Sequence, residues 1–304
     1  MTAPPRKTTE SPCHANPTHV PVAASATLLV VALGPAPSAR GATEAQAGDE
    51  VGRDRLERPG DHQLVWSDEF DADGLPDPSR WAYDTARNRQ GWFNNERQYY
   101  AEARLANSRV LDGSLVLTAR AERLRAAPDW GGQAYSSARL HTEGLASWTY
   151  GYFEVRARLP CARGSWPAIW MLGSQGEWPD RGELDIVEHV GHRPGRVLST
   201  VHTRSGFAGE GKGGGTEVPT ACTAFHVYQM LWTPDLVRFG VDGIEHARYT
   251  KSGDGARQWP FDAPQFLILN IAVGGDLGGR VVVRDFPAAM VVDDVRVYQR
   301  PALR

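Results

Sequence analysis

Gly151-Tyr152-Phe153-Glu154-Val155-Arg156-Ala157-Arg158-Leu159 is the stretch whose reading decides the fold. Phe153, Val155, Ala157 and Leu159 alternate with Tyr152, Glu154, Arg156 and Arg158. One side of an extended chain is therefore apolar and the other wet, the pattern of an antiparallel strand with one covered face. Working outward, similar short segments recur at Ser114–Ala119, Ala168–Leu172, Glu183–Val190, Leu198–Thr203, Phe225–Thr233, Leu236–Val241, Phe266–Val273 and Val291–Tyr298. Asp242-Gly243, between Leu236–Val241 and Ile244–Tyr249, is a two-residue hairpin signal. Helical periodicity is nearly absent and βαβ spacing does not occur. The segments predict one all-β domain, a sandwich of two antiparallel sheets over roughly 240 residues.

Composition sets the outer bounds. In 304 residues, 41% are hydrophobic and 23% charged, which suits an ordinary globule with ample core. A net charge of -3 gives no electrostatic reason to expect nucleic acid or an anionic membrane as partner. Arg6 and Lys7 precede the apolar run Ala23 to Leu33, and a small-residue site follows at Ala45-Gln46-Ala47. Residues 1–47 therefore read as a secretory leader, 48–60 as a flexible lead-in, and 61–304 as the folded domain. The run is too short to span a bilayer comfortably, so the mature chain is expected outside the cytoplasm, extracellular or periplasmic, free of membrane and monomeric. Once Cys13 leaves with the leader, Cys161 and Cys222 remain, expected as a disulfide or, failing that, as two buried thiols.

One segment violates the apolar logic of its surroundings. In Arg181-Gly182-Glu183-Leu184-Asp185-Ile186-Val187-Glu188-His189-Val190, three acids punctuate a Leu/Ile/Val strand, where an unpaired carboxylate is expensive. Glu183 and Asp185 share strand parity, but Glu188 lies at odd spacing and would face the other way. One extra residue, a β-bulge between Asp185 and Glu188, restores all three to a single face. The outer pair would then be about 13 Å apart along the backbone, shortened at the carboxylates by lean and sheet curvature. That approaches the ~5–5.5 Å expected of the two carboxyls of a retaining glycosidase.

Upstream stands Trp166-Pro167-Ala168-Ile169-Trp170-Met171-Leu172-Gly173. Further motifs are Trp66-Ser67-Asp68-Glu69-Phe70, Gly91-Trp92-Phe93-Asn94-Asn95-Glu96, Ser137-Ala138-Arg139-Leu140, Phe225-His226-Val227-Tyr228, Phe266-Leu267-Ile268-Leu269-Asn270 and Val295-Arg296-Val297-Tyr298-Gln299. Together with Glu-Leu-Asp-Ile-Val-Glu, and in this order from about residue 64 to 300, they resemble glycoside hydrolase family 16. The likeness is to its laminarinase-like branch of bacterial endo-β-1,3-glucanases. That resemblance implies a β-jelly-roll sandwich with a concave sugar-binding cleft. It implies Glu183 as nucleophile, Glu188 as general acid and base, and Asp185 as the carboxylate between them, with no cofactor for catalysis. The partner would be a β-glucan polysaccharide of laminarin or curdlan type.

Sugar recognition needs apolar platforms for C–H faces and planar groups for hydroxyls. Trp166, Trp170 and Trp178 are candidate platforms, core packing being the ordinary alternative for each. Trp166 and Trp170 share a face only if Pro167-Ala168 continues the strand. Asn94 and Arg139 match family positions that contact substrate hydroxyls. His202 matches a histidine beside the acids, a purely structural histidine being the alternative. The resemblance also implies a structural calcium held by Glu69, Gly113 and Asp293, against ordinary surface acids and a turn glycine. His189 falls on the opposite face from Glu188, which argues against a catalytic metal there. Gly206 to Gly215 lacks phosphate-loop spacing and reads as a mobile loop at the cleft. Competing functions on this scaffold are a non-catalytic β-glucan recognition protein and hydrolases of mixed-linkage glucan, agar or carrageenan.

Overall fold

The computed structural model describes residues 54–253 and 255–301. The leader 1–47 and the first part of the expected lead-in lie outside them. In chain order the described strands are β1 Gln63–Asp68, β2 Ala82–Tyr83, β3 Gln98–Tyr100, β4 Ser108–Leu111, β5 Ser114–Ala119 and β6 Tyr135–Ser137. They continue as β7 Arg139–His141, β8 Gly151–Arg158, β9 Ser165–Gly173, β10 Glu183–His189, β11 Arg196–His202 and β12 Lys212–Glu217. The last are β13 His226–Trp232, β14 Leu236–Val241, β15 Ile244–Thr250, β16 Gln265–Val273 and β17 Ala288–Gln299. One sheet runs β15-β14-β13-β8-β17-β5-β4, with β1 also on β17, and the other runs β12-β11-β10-β9-β16-β7-β2. Strand pairing within both is antiparallel, and only the small β3-β6 pair is parallel. The jelly-roll sandwich expectation is met.

Side-chain alternation builds the core. Phe153, Val155 and Ala157 of β8 are buried against Ile169 and Met171 of β9, Leu184 of β10, Val197 and Val201 of β11, and Leu267, Leu269 and Ile271 of β16. On β9 this leaves Trp166 and Trp170 partly exposed on the outer face, so Pro167-Ala168 does continue the strand. Burial of a Leu, Val or Phe side chain stabilises by about 1.5–3 kcal/mol, so this inner layer fixes which way every alternate residue points outward.

Two expectations need correction. Residues 54–60 are not a loose lead-in: Leu56 is fully buried, its N–H donates to Gly243 O at 2.8 Å, and Arg55 bridges Ile244. A single apolar residue among charges left too little pattern to reveal this. The glycine-rich stretch is not simply a mobile loop either, because Lys212–Glu217 pairs with β11 over six positions, from Arg196↔Glu217 to Val201↔Lys212. A Cβ on Gly213 would strike the Ser199 carbonyl, and one on Gly214 would stand 3.0 Å from the His246 carbonyl oxygen. Glycine is needed there for close approach of backbone on two sides.

Candidate active site

The outer face of the seven-stranded sheet carries the acids. Along β10 the pairing with β11 passes from Asp185↔Thr200 to Glu188↔Leu198, and with β9 from Asp185↔Trp170 to Val187↔Ile169. The predicted bulge therefore exists, and Ile186 is its surplus residue. It leaves Ile186 and Val187 both buried while Glu183 and Glu188 are partly exposed and Asp185 is 3% exposed. Alternation on β11 places Thr200 and His202 on the same face, directly beside them.

Each carboxylate has its own donors. Trp178 Nε1 donates to Glu183 Oε2 at 2.7 Å. Trp166 Nε1 donates to Glu188 Oε1 at 3.1 Å, and Thr200 Oγ1 to Glu188 Oε2 at 3.2 Å. His202 Nε2 lies 3.3 Å from Asp185 Oδ2 and 4.0 Å from Glu183 Oε1, so one imidazole spans two acids. Trp178, 41% exposed, leans on Phe207 with ring centroids 5.3 Å apart. All three tryptophans thus sit on the outer face, two of them as hydrogen-bond donors to the outer acids rather than as core filler.

Crowding these acids raises their proton affinity. Burial, then the Asp185 charge, pushes Glu183 up to about 8, against the pull of His202. Burial and the Glu188 charge hold Asp185 well above the usual carboxylate range. Burial likewise raises Glu188, opposed by His202, Trp166 and Thr200. Protons on such a trio belong to the coupled set and not to one residue.

A second chain of contacts extends from Trp170. Its Nε1 donates to Asn270 Oδ1 at 2.8 Å, and Asn270 Nδ2 donates to Tyr100 OH at 2.9 Å. Near Tyr100, Glu96 accepts from Gln98 Nε2 at 2.7 Å, and burial raises its carboxyl. Arg139 stacks 4.8 Å over Trp170 and 5.1 Å over Trp92, with its Nε 3.1 Å from Asp84 Oδ2. Asn94 stands on an exposed turn at φ 56°, its Nδ2 3.5 Å from Glu96 Oε1. Arg139 therefore borders Trp170, the Asn94 carbonyl accepts from the Asp276 N–H at 2.8 Å in the turn after β16, and neither residue has a hydrogen bond or ion pair to the acids among the described residues. Sequence reading missed Thr200, Tyr100 and Asn270 as individual residues. Parity with His202 would have found Thr200, and alternation against the buried Leu269 would have found Asn270.

The expected calcium donors can be tested on register. Extending the pairings Asp68↔Val295 and Val292↔Leu115 by a step or two brings Glu69 and Gly113 to the same part of β17, beside Asp293 and Asp294. Glu69 accepts from Arg296 at 2.9 and 2.7 Å, and Asp293 pairs with Arg156. Two partly exposed carboxylates and a turn carbonyl are the hard oxygen set that fits calcium, with the arginines as competitors. The Cys161–Cys222 disulfide is formed, with a Cα–Cα distance of 5.8 Å.

Known proteins resemble the chain in sequence and in fold. A Beta-glucanase of Rhodothermus marinus is 49% identical over 263 residues, 82% of this chain and 89% of that protein. Among solved structures, SCLam, a non-specific endo-β-1,3(4)-glucanase, is 48% identical with a TM-score of 0.80, covering 82% of this chain and 96% of its own. The laminarinase from Rhodothermus marinus is 50% identical with a TM-score of 0.74, covering 78% and 97%. The profile described as Glycosyl hydrolases family 16 matches residues 95–281, across the bulged strand and its flanking tryptophans. With fold and sequence agreeing, the chain belongs to glycosyl hydrolase family 16.

Proposed function

We propose that the chain is a retaining endo-β-1,3-glucanase that cuts laminarin-like polymers by double displacement. The observation that carries this is the bulge in β10, which gathers Glu183, Asp185 and Glu188 on one face, each outer acid under its own indole N–H. Retention requires an ionised carboxylate to attack the anomeric carbon and a protonated one to assist the departing oxygen. Glu183 takes the first role: donation from Trp178 to one oxygen favours the ionised form and orients the other. Glu188 takes the second, aimed by Trp166 and Thr200. It gives its proton to the leaving oxygen, then accepts one from the water that releases the sugar from Glu183. Asp185, between Glu183 and His202, holds the proton balance of the pair. Trp170, Arg139 and Asn94 line the approach along which further sugar units would stack and bond.

The likeness to a non-specific endo-β-1,3(4)-glucanase supports some action on mixed-linkage glucan as well. The retained acids with their donors favour an enzyme over a binding protein. Purified protein incubated with laminarin, lichenan, agarose and carrageenan should release oligosaccharides from laminarin with the β-anomer formed first. Glu183→Ala should lower that rate at least ~10³-fold, about 4 kcal/mol of barrier, with the fold intact. Agarose cleavage with laminarin untouched would overturn the substrate, and a fully active Glu183→Ala the mechanism.

We further propose calcium at Glu69, Gly113 and Asp293 as a stabiliser that takes no part in the chemistry. A chelator should lower the melting temperature and added calcium restore it, with Glu69→Gln insensitive to both. An exported monomer is the state in which we propose the protein works, a disulfide persisting best in an oxidising compartment.

A further inference from the structure

On β11, Val197, Ser199 and Val201 face the core while Leu198, Thr200 and His202 face outward. Ser199 is thus a hydroxyl in an apolar row, 1% exposed. Its Oγ lies 2.7 Å from the Ile186 carbonyl oxygen and 2.9 Å from His246 Nε2. A carbonyl only accepts, so the hydroxyl donates to Ile186 and its lone pair accepts from His246. That assigns the imidazole proton to Nε2.

Ile186 is the residue the bulge leaves over. Against β9 the pairing jumps from Asp185 to Val187, and against β11 it jumps from Thr200 to Leu198, so Ser199 stands opposite the irregularity. The surplus residue of a bulge loses its ladder partner, and a regular strand here would turn Glu188 to the core. His246 comes from β15, in the opposite sheet, and can approach because β12 lies between them as bare glycine. A Cβ on Gly214 would stand 3.0 Å from the His246 carbonyl and 3.2 Å from the Ala247 Cβ.

We infer that Ser199 and His246 are positioning residues: by holding the Ile186 carbonyl from behind, they lock the bulge that places Glu188 on the same face as Glu183. The inference rests on the reading of these two acids as acid/base and nucleophile. It also gives the glycine-rich strand a role, as the gap through which one sheet braces the other's catalytic strand.

Laminarin kinetics, thermal melting and carbon-13 titration of the Glu188 carboxyl test it together. Ser199→Ala should lower kcat on the order of 10- to 100-fold with KM nearly unchanged, since a misplacement of about 1 Å suffices for such losses. The Glu188 titration midpoint should move with it. His246→Ala should reproduce both effects, while His246→Gln, whose amide can still donate to Ser199, should recover most of kcat. Wild-type kcat and an unmoved Glu188 midpoint in Ser199→Ala would overturn the inference, even if its melting temperature fell. If Ser199→Ala does not fold, the His246→Ala and His246→Gln contrast decides, equal kcat and Glu188 midpoints in the two refuting the proposal. A wild type that cleaves no glucan would sink the glucanase reading alone, because the Glu188 titration judges the brace without any substrate.

Discussion

Glu183 answers to two demands that pull its proton in opposite directions. Attack on a sugar needs the carboxylate, yet burial and the Asp185 charge raise its pKa from an ordinary 4.5 to about 8. A group that binds its proton more tightly folded than unfolded stabilises fully below the unfolded pKa and loses that stabilisation as pH rises through the folded one. Wild type should therefore lose stability between about pH 4.5 and pH 8 relative to Glu183→Gln, whose amide stays neutral. Melting curves of the two proteins across that range check this. A difference independent of pH would show that Glu183 is ionised throughout. At this scale the sequence was informative wherever an acid broke an apolar pattern. It was silent on Ser199, because a hydroxyl in a strand of Leu, Ser, Thr and Val breaks nothing visible, and it offered Thr200 only through parity with His202.

Strands and their irregularities show where legibility stops. The alternation in Gly151–Leu159 fixed one face of β8, and the parity of Glu183, Asp185 and Glu188 demanded a bulge that the register places as expected. Period-two pattern reports burial on one side, so strands with that asymmetry were readable. β12 has none: Gly213, Gly214 and Gly215 offer no side chains to alternate, and what selects them is the closeness of β11 and β15, a tertiary fact. The short segments β2, β3, β6 and β7 were hidden for another reason. Spans of two or three residues are shorter than the window in which any period can be counted. The site followed the same rule. Acids and indoles were found, whereas the Trp170–Asn270–Tyr100 relay joins segments 70 or more residues apart in the chain and has no local signature.

The described domain, taken whole, is two sheets that must keep their registry for the outer face of one to work, and the disulfide joins two of the connections that run between them. Cys161 follows β8 of the eight-stranded sheet, and Cys222 lies in the connection from β12 of the other sheet back to β13. Beside it the Leu159 N–H donates to the Ala221 carbonyl at 2.9 Å, so the cross-link reinforces a contact the backbone already makes. Its chief effect is then expected in the unfolded chain, where closing a loop of 61 residues removes entropy equivalent to about 4 kcal/mol in the chain-entropy treatment. Native disulfides of this kind deliver about 2–4 kcal/mol in practice, on the order of 5–10 °C in melting temperature for a domain of this size. The double variant Cys161→Ser/Cys222→Ser should show that fall and should keep kcat on laminarin within about twofold at 25 °C, because neither sulfur reaches the outer face. Differential scanning calorimetry of the variant against oxidised wild type measures the first, and initial rates measure the second. An unchanged melting temperature would mean that the Leu159–Ala221 contact and the core hold the sheets without the bond. A collapse in kcat with the fold retained would instead place the disulfide in the support of β10, through His189, whose ring sits within 4.8 Å of both sulfurs at the far end of the strand that carries the acids.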